Sequence, residues 1–237
     1  MRIAVPSTIG ALLIALCAAA SSQQVTVTAH ARVLQSNGKP SAHAENVVVW
    51  LKPLGGEPLR AWPSHNFRLM QHNKSFDPHV LVIPVGAAVQ FPNRDPFFHN
   101  VFSLFEGKRF DLGLYETGST REVSFDRPGI SYIFCNIHAE MSAVVIALDT
   151  PYVAISNRRG EISMPDVPVG RYSMRVWYET ALPEVLNTIT REISVTEENS
   201  NLGQVQISGV SVSSNHRNKY GMDYEPPIPN DPAYPHP

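Results

Sequence analysis

Cysteine is nearly missing from this chain: its 237 residues include two, Cys17 and Cys135. That excludes a small scaffold stapled by several disulfides. There is no run of lysine and arginine. Basic and acidic residues number 19 and 21, a formal net charge of −2, so no nucleic-acid partner and no anionic membrane surface are expected. Long apolar runs are missing too. The longest, around Ile9–Leu16, falls short of the about 20 residues that a permanent bilayer helix needs, and no transmembrane span is expected. Gly-x-Gly-x-x-Gly, Walker, Gly-x-Ser-x-Gly, His-Glu-x-x-His and Cys-x-x-Cys patterns do not occur, which removes the familiar routes to phosphate binding and hydrolysis.

The N-terminus reads as a leader. Arg2, the apolar Ile9–Leu16 and the small residues Ala18–Ser22 make 1–22 an expected secretion signal, and the mature protein is expected to be periplasmic or secreted. Cys17 invites a lipid anchor, but the residue before it, Leu16, is bulky where a lipobox has a small one. Cleavage would remove Cys17 and leave Cys135 alone. In an oxidising compartment an unpaired cysteine is either a reactive thiol or a ligand.

The chain is broken often, by 20 prolines and 14 glycines. Its apolar runs are short and β-branched or aromatic: Val47–Leu51, Val80–Ile83, Ala143–Leu148. No segment keeps a helical period over three turns, so the fold class is all-β. Ala88–Phe91 reads as a strand, Pro92–Pro96 as a loop delivering His99, and Asp126–Gly129 as a turn feeding a strand Ile130–Phe134.

Chemistry concentrates just beyond that last strand. Cys135, His138 and Met141 follow one another at three-residue intervals, and His99 lies upstream in Phe97-Phe98-His99-Asn100-Val101-Phe102. One thiolate, two imidazoles and one thioether are the donors of a mononuclear type 1 copper site, a trigonal His₂Cys plane with a weak axial Met. Thiolate and thioether hold Cu(I), and imidazole tolerates both oxidation states. A lone cysteine is by default a buried small hydrophobe; His138 and Met141 beside it turn the reading toward a metal.

These residues resemble the plastocyanin and amicyanin branch of the cupredoxins over about Phe67–Asp149, and the short gap between His138 and Met141 is similar to the amicyanin ligand loop. The resemblance implies a Greek-key sandwich. It implies His99, Cys135 and His138 as equatorial ligands and Met141 as the axial one. It also implies that the Asn100 side chain braces the cysteine-bearing loop, and that electrons leave by an exposed edge of His138 within an apolar rim drawn from Phe97, Phe98, Ile137 and Ala139.

The flanks carry a second resemblance. Val25–Leu54, with its Gly38-Lys39-Pro40 loop, and Tyr152–Ile207 are similar to pieces of the carboxypeptidase regulatory-like, transthyretin-type sandwich. The preferred organisation is a small β-sandwich (25–58 and 150–210) interrupted by a cupredoxin domain at 67–149. Three consecutive units are the alternative. From 213 to 237 the chain is polar and proline-rich and reads as a disordered tail. His65, His72 and His79 read as surface or hydrogen-bonded residues, and His30, His43, His216 and His236 receive no role.

The function expected from the sequence is an exported electron carrier with one copper ion and a transient redox protein partner. The competing readings are a cell-envelope protein that handles copper without electron transfer, and an adhesive module with a metal-free relic of the site. An enzyme is the least expected: multicopper oxidases add His-x-His sites, and none occurs here.

Overall fold

The computed structural model describes residues 23–55, 59–63, 65–104, 106–210 and 216–224. The expected leader (1–22) and the tail segments 213–215 and 225–237 lie outside the described residues.

The described residues are all-β, as the broken apolar runs predict, with one short helix among them, Pro183–Ile189. At seven residues that helix is too brief to show a helical period over three turns. It starts where Pro183 takes a first-turn position needing no N–H partner.

Two groups of sheets form, each around its own core. In the first, strand Gln24–Gln35 lies between Glu161–Pro168 and Asn201–Val210, and Val48–Pro53 lies between Val153–Ile155 and Gly170–Trp177, with Arg191–Val195 at the edge. Strict alternation in Gln24–Gln35 sends Val27, Ala29, Ala31 and Val33 inward, the period expected of a sheet wet on one face. Leu51, Met174 and Ile207 meet them from the other strands, and Tyr152 from just before Val153–Ile155.

In the second group, Thr120–Ser124, Ala88–Pro92 and Phe67–Arg68 make one sheet, and five strands make another in the order Val80–Pro84, Ser142–Leu148, Gly129–Cys135, His99–Ser103, Phe110–Tyr115. Phe91, Val101, Ile133, Val145 and Tyr115 fill the space between. Gly107 (φ +79) lets the loop before Phe110 approach the Gly129–Cys135 strand, where any Cβ would run into the Ser131 hydroxyl and the Ile130 carbonyl.

Ser142–Leu148 joins the two groups. Ala143, Val145 and Ala147 face the second core, while Val144, Ile146 and Leu148 pack with Val48, Val80 and Trp177 in a third. That double burial explains its unbroken apolar run, since alternation appears only where one face meets water. Within the five-stranded sheet, His99–Ser103 and Gly129–Cys135 are neighbours, with Cys135 opposite Val101. That pairing brings His99 and Cys135 to one end of the sheet.

Candidate metal centre

His99 opens its strand and is delivered by a loop that Asn93 organises. The Asn93 side chain donates to the Phe97 carbonyl (2.8 Å) and accepts from the Asp95 N–H (3.0 Å), an Asx turn of the kind that folds such loops locally. The turn buries Asp95, which is 2% exposed. Its carboxylate accepts from the backbone N–H of Asn73 (2.6 Å) and of Lys74 (3.0 Å), both at positive φ, and from His99 Nε2 (2.8 Å). Nε2 therefore carries the proton, and Nδ1 presents its lone pair on the opposite side of the ring.

That lone pair faces sulfur. Cys135 Sγ lies 3.6 Å from His99 Nδ1 and 3.6 Å from His138 Nδ1. The ligand-type atoms of His99, Cys135 and His138 all fall within 4.8 Å of one another. The loop after Cys135 is tied shut: Met141 N donates to the His138 carbonyl (3.1 Å), Cys135 N to the Met141 carbonyl (3.2 Å), and Asn136 N to the Asn100 carbonyl (3.0 Å). Met141 is fully buried in the same core as Cys135. The Phe97 ring lies 5.3 Å from His99 and 5.5 Å from His138, walling the pair on one side.

Burial sets the protonation states. It pushes both imidazoles down: His99 lies below its ordinary value despite Asp95, and His138, further opposed by the neighbouring His99, drops to about 4. Both are neutral at neutral pH and able to bind a cation. Burial raises the Cys135 thiol, which backbone N–H donors from Asn100, Ile137 and His138 only partly counter. A metal must displace that proton. Burial also opposes the Asp95 charge, but bonds from the Lys74 N–H, the His99 ring and the Asn73 N–H outweigh it and hold the carboxyl below the ordinary range.

The donors fit a single ion. With metal–thiolate and metal–imidazole bonds of about 2.3 and about 2.0 Å, sulfur and nitrogen on one ion sit roughly 3.5 Å apart at a tetrahedral angle and roughly 3.7 Å at a trigonal one. Both observed separations lie in that interval. A thiolate with two imidazoles and a thioether in the same core is the donor set of copper rather than of a hard cation.

Sequence reasoning brought forward the residues that converge, but it missed their supports. Asp95 reads in sequence as one more loop acid; an acid four residues ahead of a candidate ligand histidine was the available signal. The Asn100 side chain does not brace the cysteine loop as expected: it donates to Asp111 (2.7 Å), and the brace is its backbone carbonyl. His65 packs on Phe67, and His79 pairs with Glu179. Among the described residues the one three-residue metal-type cluster is His99, Cys135 and His138. Residues 216–224, within the tail expected to be disordered, lie instead against this loop: the Tyr224 hydroxyl donates to the Cys135 carbonyl (2.7 Å).

No family model matches the chain, and no curated protein does. Solved structures do. A purple cupredoxin from Nitrosopumilus maritimus is 24% identical, covering 35% of this chain and 100% of its own at a TM-score of 0.32. Amicyanin from Paracoccus versutus is 18% identical over 41% of this chain and 97% of its own, TM-score 0.33. A copper-containing nitrite reductase from Thermus scotoductus SA-01 is 24% identical over 41% of this chain and 25% of its own, TM-score 0.34. Among the described residues no helix is long and apolar enough to cross a membrane.

Proposed function

We propose that this chain is an exported type 1 copper protein that carries single electrons between redox partners. One observation carries the reading: both imidazole Nδ1 atoms stand at the same 3.6 Å from the Cys135 sulfur, the separation that ligands of one ion require. His99, Cys135 and His138 would hold the ion, with Met141 as the weak fourth donor. Copper, when bound, supplies one-electron chemistry between Cu(II) and Cu(I).

The chain's own residues do the rest. Asp95 and Phe97 fix the His99 ring, and the hydrogen-bonded Cys135–Met141 loop fixes the other donors, so little has to move when the charge on the site changes. Burial of Cys135, Met141 and His99 at 0% exposure leaves His138, at 8%, as the ligand nearest solvent. A closed site of this kind favours electron passage over substrate binding, and the His138 side, with Phe97 against the ring, suits a brief encounter with a redox protein.

The domain reading proposed with it is nesting: the copper unit, 67–149, interrupts a small sandwich made from 25–58 and 150–210. Pairing of Val48–Pro53 with Gly170–Trp177, and of Gln24–Gln35 with Glu161–Pro168 and Asn201–Val210, supports this. Titration of the metal-free protein with Cu(II) tests the functional reading. One tightly bound copper per chain is expected, lost in Cys135→Ser; equal uptake by the variant would overturn it.

A further inference from the structure

Residues His216–Tyr224 form an ordered turn. Asn218 Oδ1 accepts from the N–H of Tyr220 and of Met222 (3.0 Å each), and Asn218 N donates to the Met222 carbonyl (2.9 Å). The turn meets the rest of the protein at a few points, and they converge on the ligand-bearing segments. The Tyr224 hydroxyl donates to the carbonyl of Cys135 itself (2.7 Å). Lys219 N donates to Asn136 Oδ1 (2.9 Å), on the residue after Cys135. Lys219 Nζ pairs with Asp111 (2.8 Å), whose other oxygen accepts from the side chain of Asn100, the residue after His99. Asn136 N bonds the Asn100 carbonyl. These contacts close a ring: Lys219, Asn136, Asn100, Asp111 and back to Lys219.

The His216 ring stacks on Phe134, the residue before Cys135, with centroids 4.1 Å apart and planes 30° from parallel. Its Nδ1 lies 3.2 Å from the Tyr224 oxygen. The single hydroxyl proton of Tyr224 is committed to Cys135, so His216 Nδ1–H is the donor there. That tautomer leaves Nε2 unprotonated, in agreement with its being buried without a partner.

We propose that His216–Tyr224 is a strap built into the metal centre, in which Tyr224 and Lys219 are positioning residues that hold the Cys135 and His99 segments at fixed separation and keep water from the Cys135 main chain. The role assigned to the metal rests on the copper reading above; the ties themselves do not. A purely surface attachment would scatter its bonds. Here they fall on Cys135, on its two sequence neighbours, and on Asp111, which holds the side chain following His99.

The test uses the full chain with Tyr224→Phe and Lys219→Met, singly and together, with Lys219→Arg as the conservative replacement and Met222→Ser as the control. In copper-free protein below its urea transition, alkylation of Cys135 is followed by mass spectrometry of the peptide that contains it. In copper-loaded protein, the visible thiolate-to-copper band and the rate of copper loss to a chelator are followed. Each lost tie should speed alkylation and copper loss about fivefold and displace the band, while Lys219→Arg and Met222→Ser match wild type. Unchanged alkylation, copper loss and band in the double variant would overturn the strap. Wild-type protein that takes up no copper would instead sink the copper reading, and the alkylation rates would then decide the strap alone.

Discussion

His99 is gripped from two sides: Asp95 Oδ2 lies 2.8 Å from its Nε2, and Cys135 Sγ lies 3.6 Å from its Nδ1. The first contact makes the second useful. A carboxylate on Nε2 fixes tautomer and ring plane, and strengthens Nδ1 as a donor. Asp95→Ala removes that partner and also strands two backbone N–H groups, of Asn73 and Lys74. Copper affinity should fall by about 10- to 100-fold, read by competition with a chelator of known affinity. Affinity unchanged within twofold would mean that Asp95 shapes the loop and not the ligand.

Met141 offers a separate handle. It is fully buried and its backbone closes the ligand loop, so Met141→Leu preserves shape and costs under about 1.5 kcal/mol. A missing fourth donor costs the electron-poor Cu(II) more than Cu(I), which the thiolate and two imidazoles still hold. Copper should stay bound, and the reduction potential measured by protein-film voltammetry should rise; an unchanged potential removes Met141 from the axial role.

Ile146 tests the junction between the two sheet groups. It is fully buried between Val48, Val144 and Trp177, and Ile146→Ala leaves a cavity there. The expected loss in urea unfolding is about 2–5 kcal/mol. A loss below 0.5 kcal/mol, about the level of a surface substitution, would show that the two groups do not depend on this contact.

His79 and Glu179 also link the two groups, across 2.6 Å. The bond to Glu179 raises the His79 pKa above its ordinary 6.5, against the pull of burial. A raised folded-state value stabilises most at pH below 6.5 and loses that contribution as pH climbs through the folded value. Both groups are about a third exposed, so the gain is under about 1 kcal/mol. Thermal unfolding of wild type against Glu179→Gln should differ at acid pH and converge as pH rises through the folded-state value. A difference that grows with pH would reverse the assignment.

What the sequence made legible follows from range. Cys135, His138 and Met141 lie within one loop, and the apolar run Ala143–Leu148 shows its strand directly, so pattern suffices for both. Asp95 is harder, because its burial depends on an Asx turn and on N–H groups from Asn73 and Lys74, more than twenty residues upstream. His216 and Tyr224 had no signal at all. Nothing in the local pattern marks them, and they meet the site through Phe134 and Cys135, far back in the chain. The pairing of Val48–Pro53 with Gly170–Trp177 is equally non-local, and no local pattern in either segment announces it.

The most direct measurement is the visible and EPR spectrum of protein loaded with one equivalent of Cu(II). A thiolate bonded to copper predicts an intense visible charge-transfer band and an EPR signal unlike that of copper held by nitrogen and oxygen alone, both gone in Cys135→Ser. A colourless protein, or a band that survives the loss of that sulfur, would contradict the account.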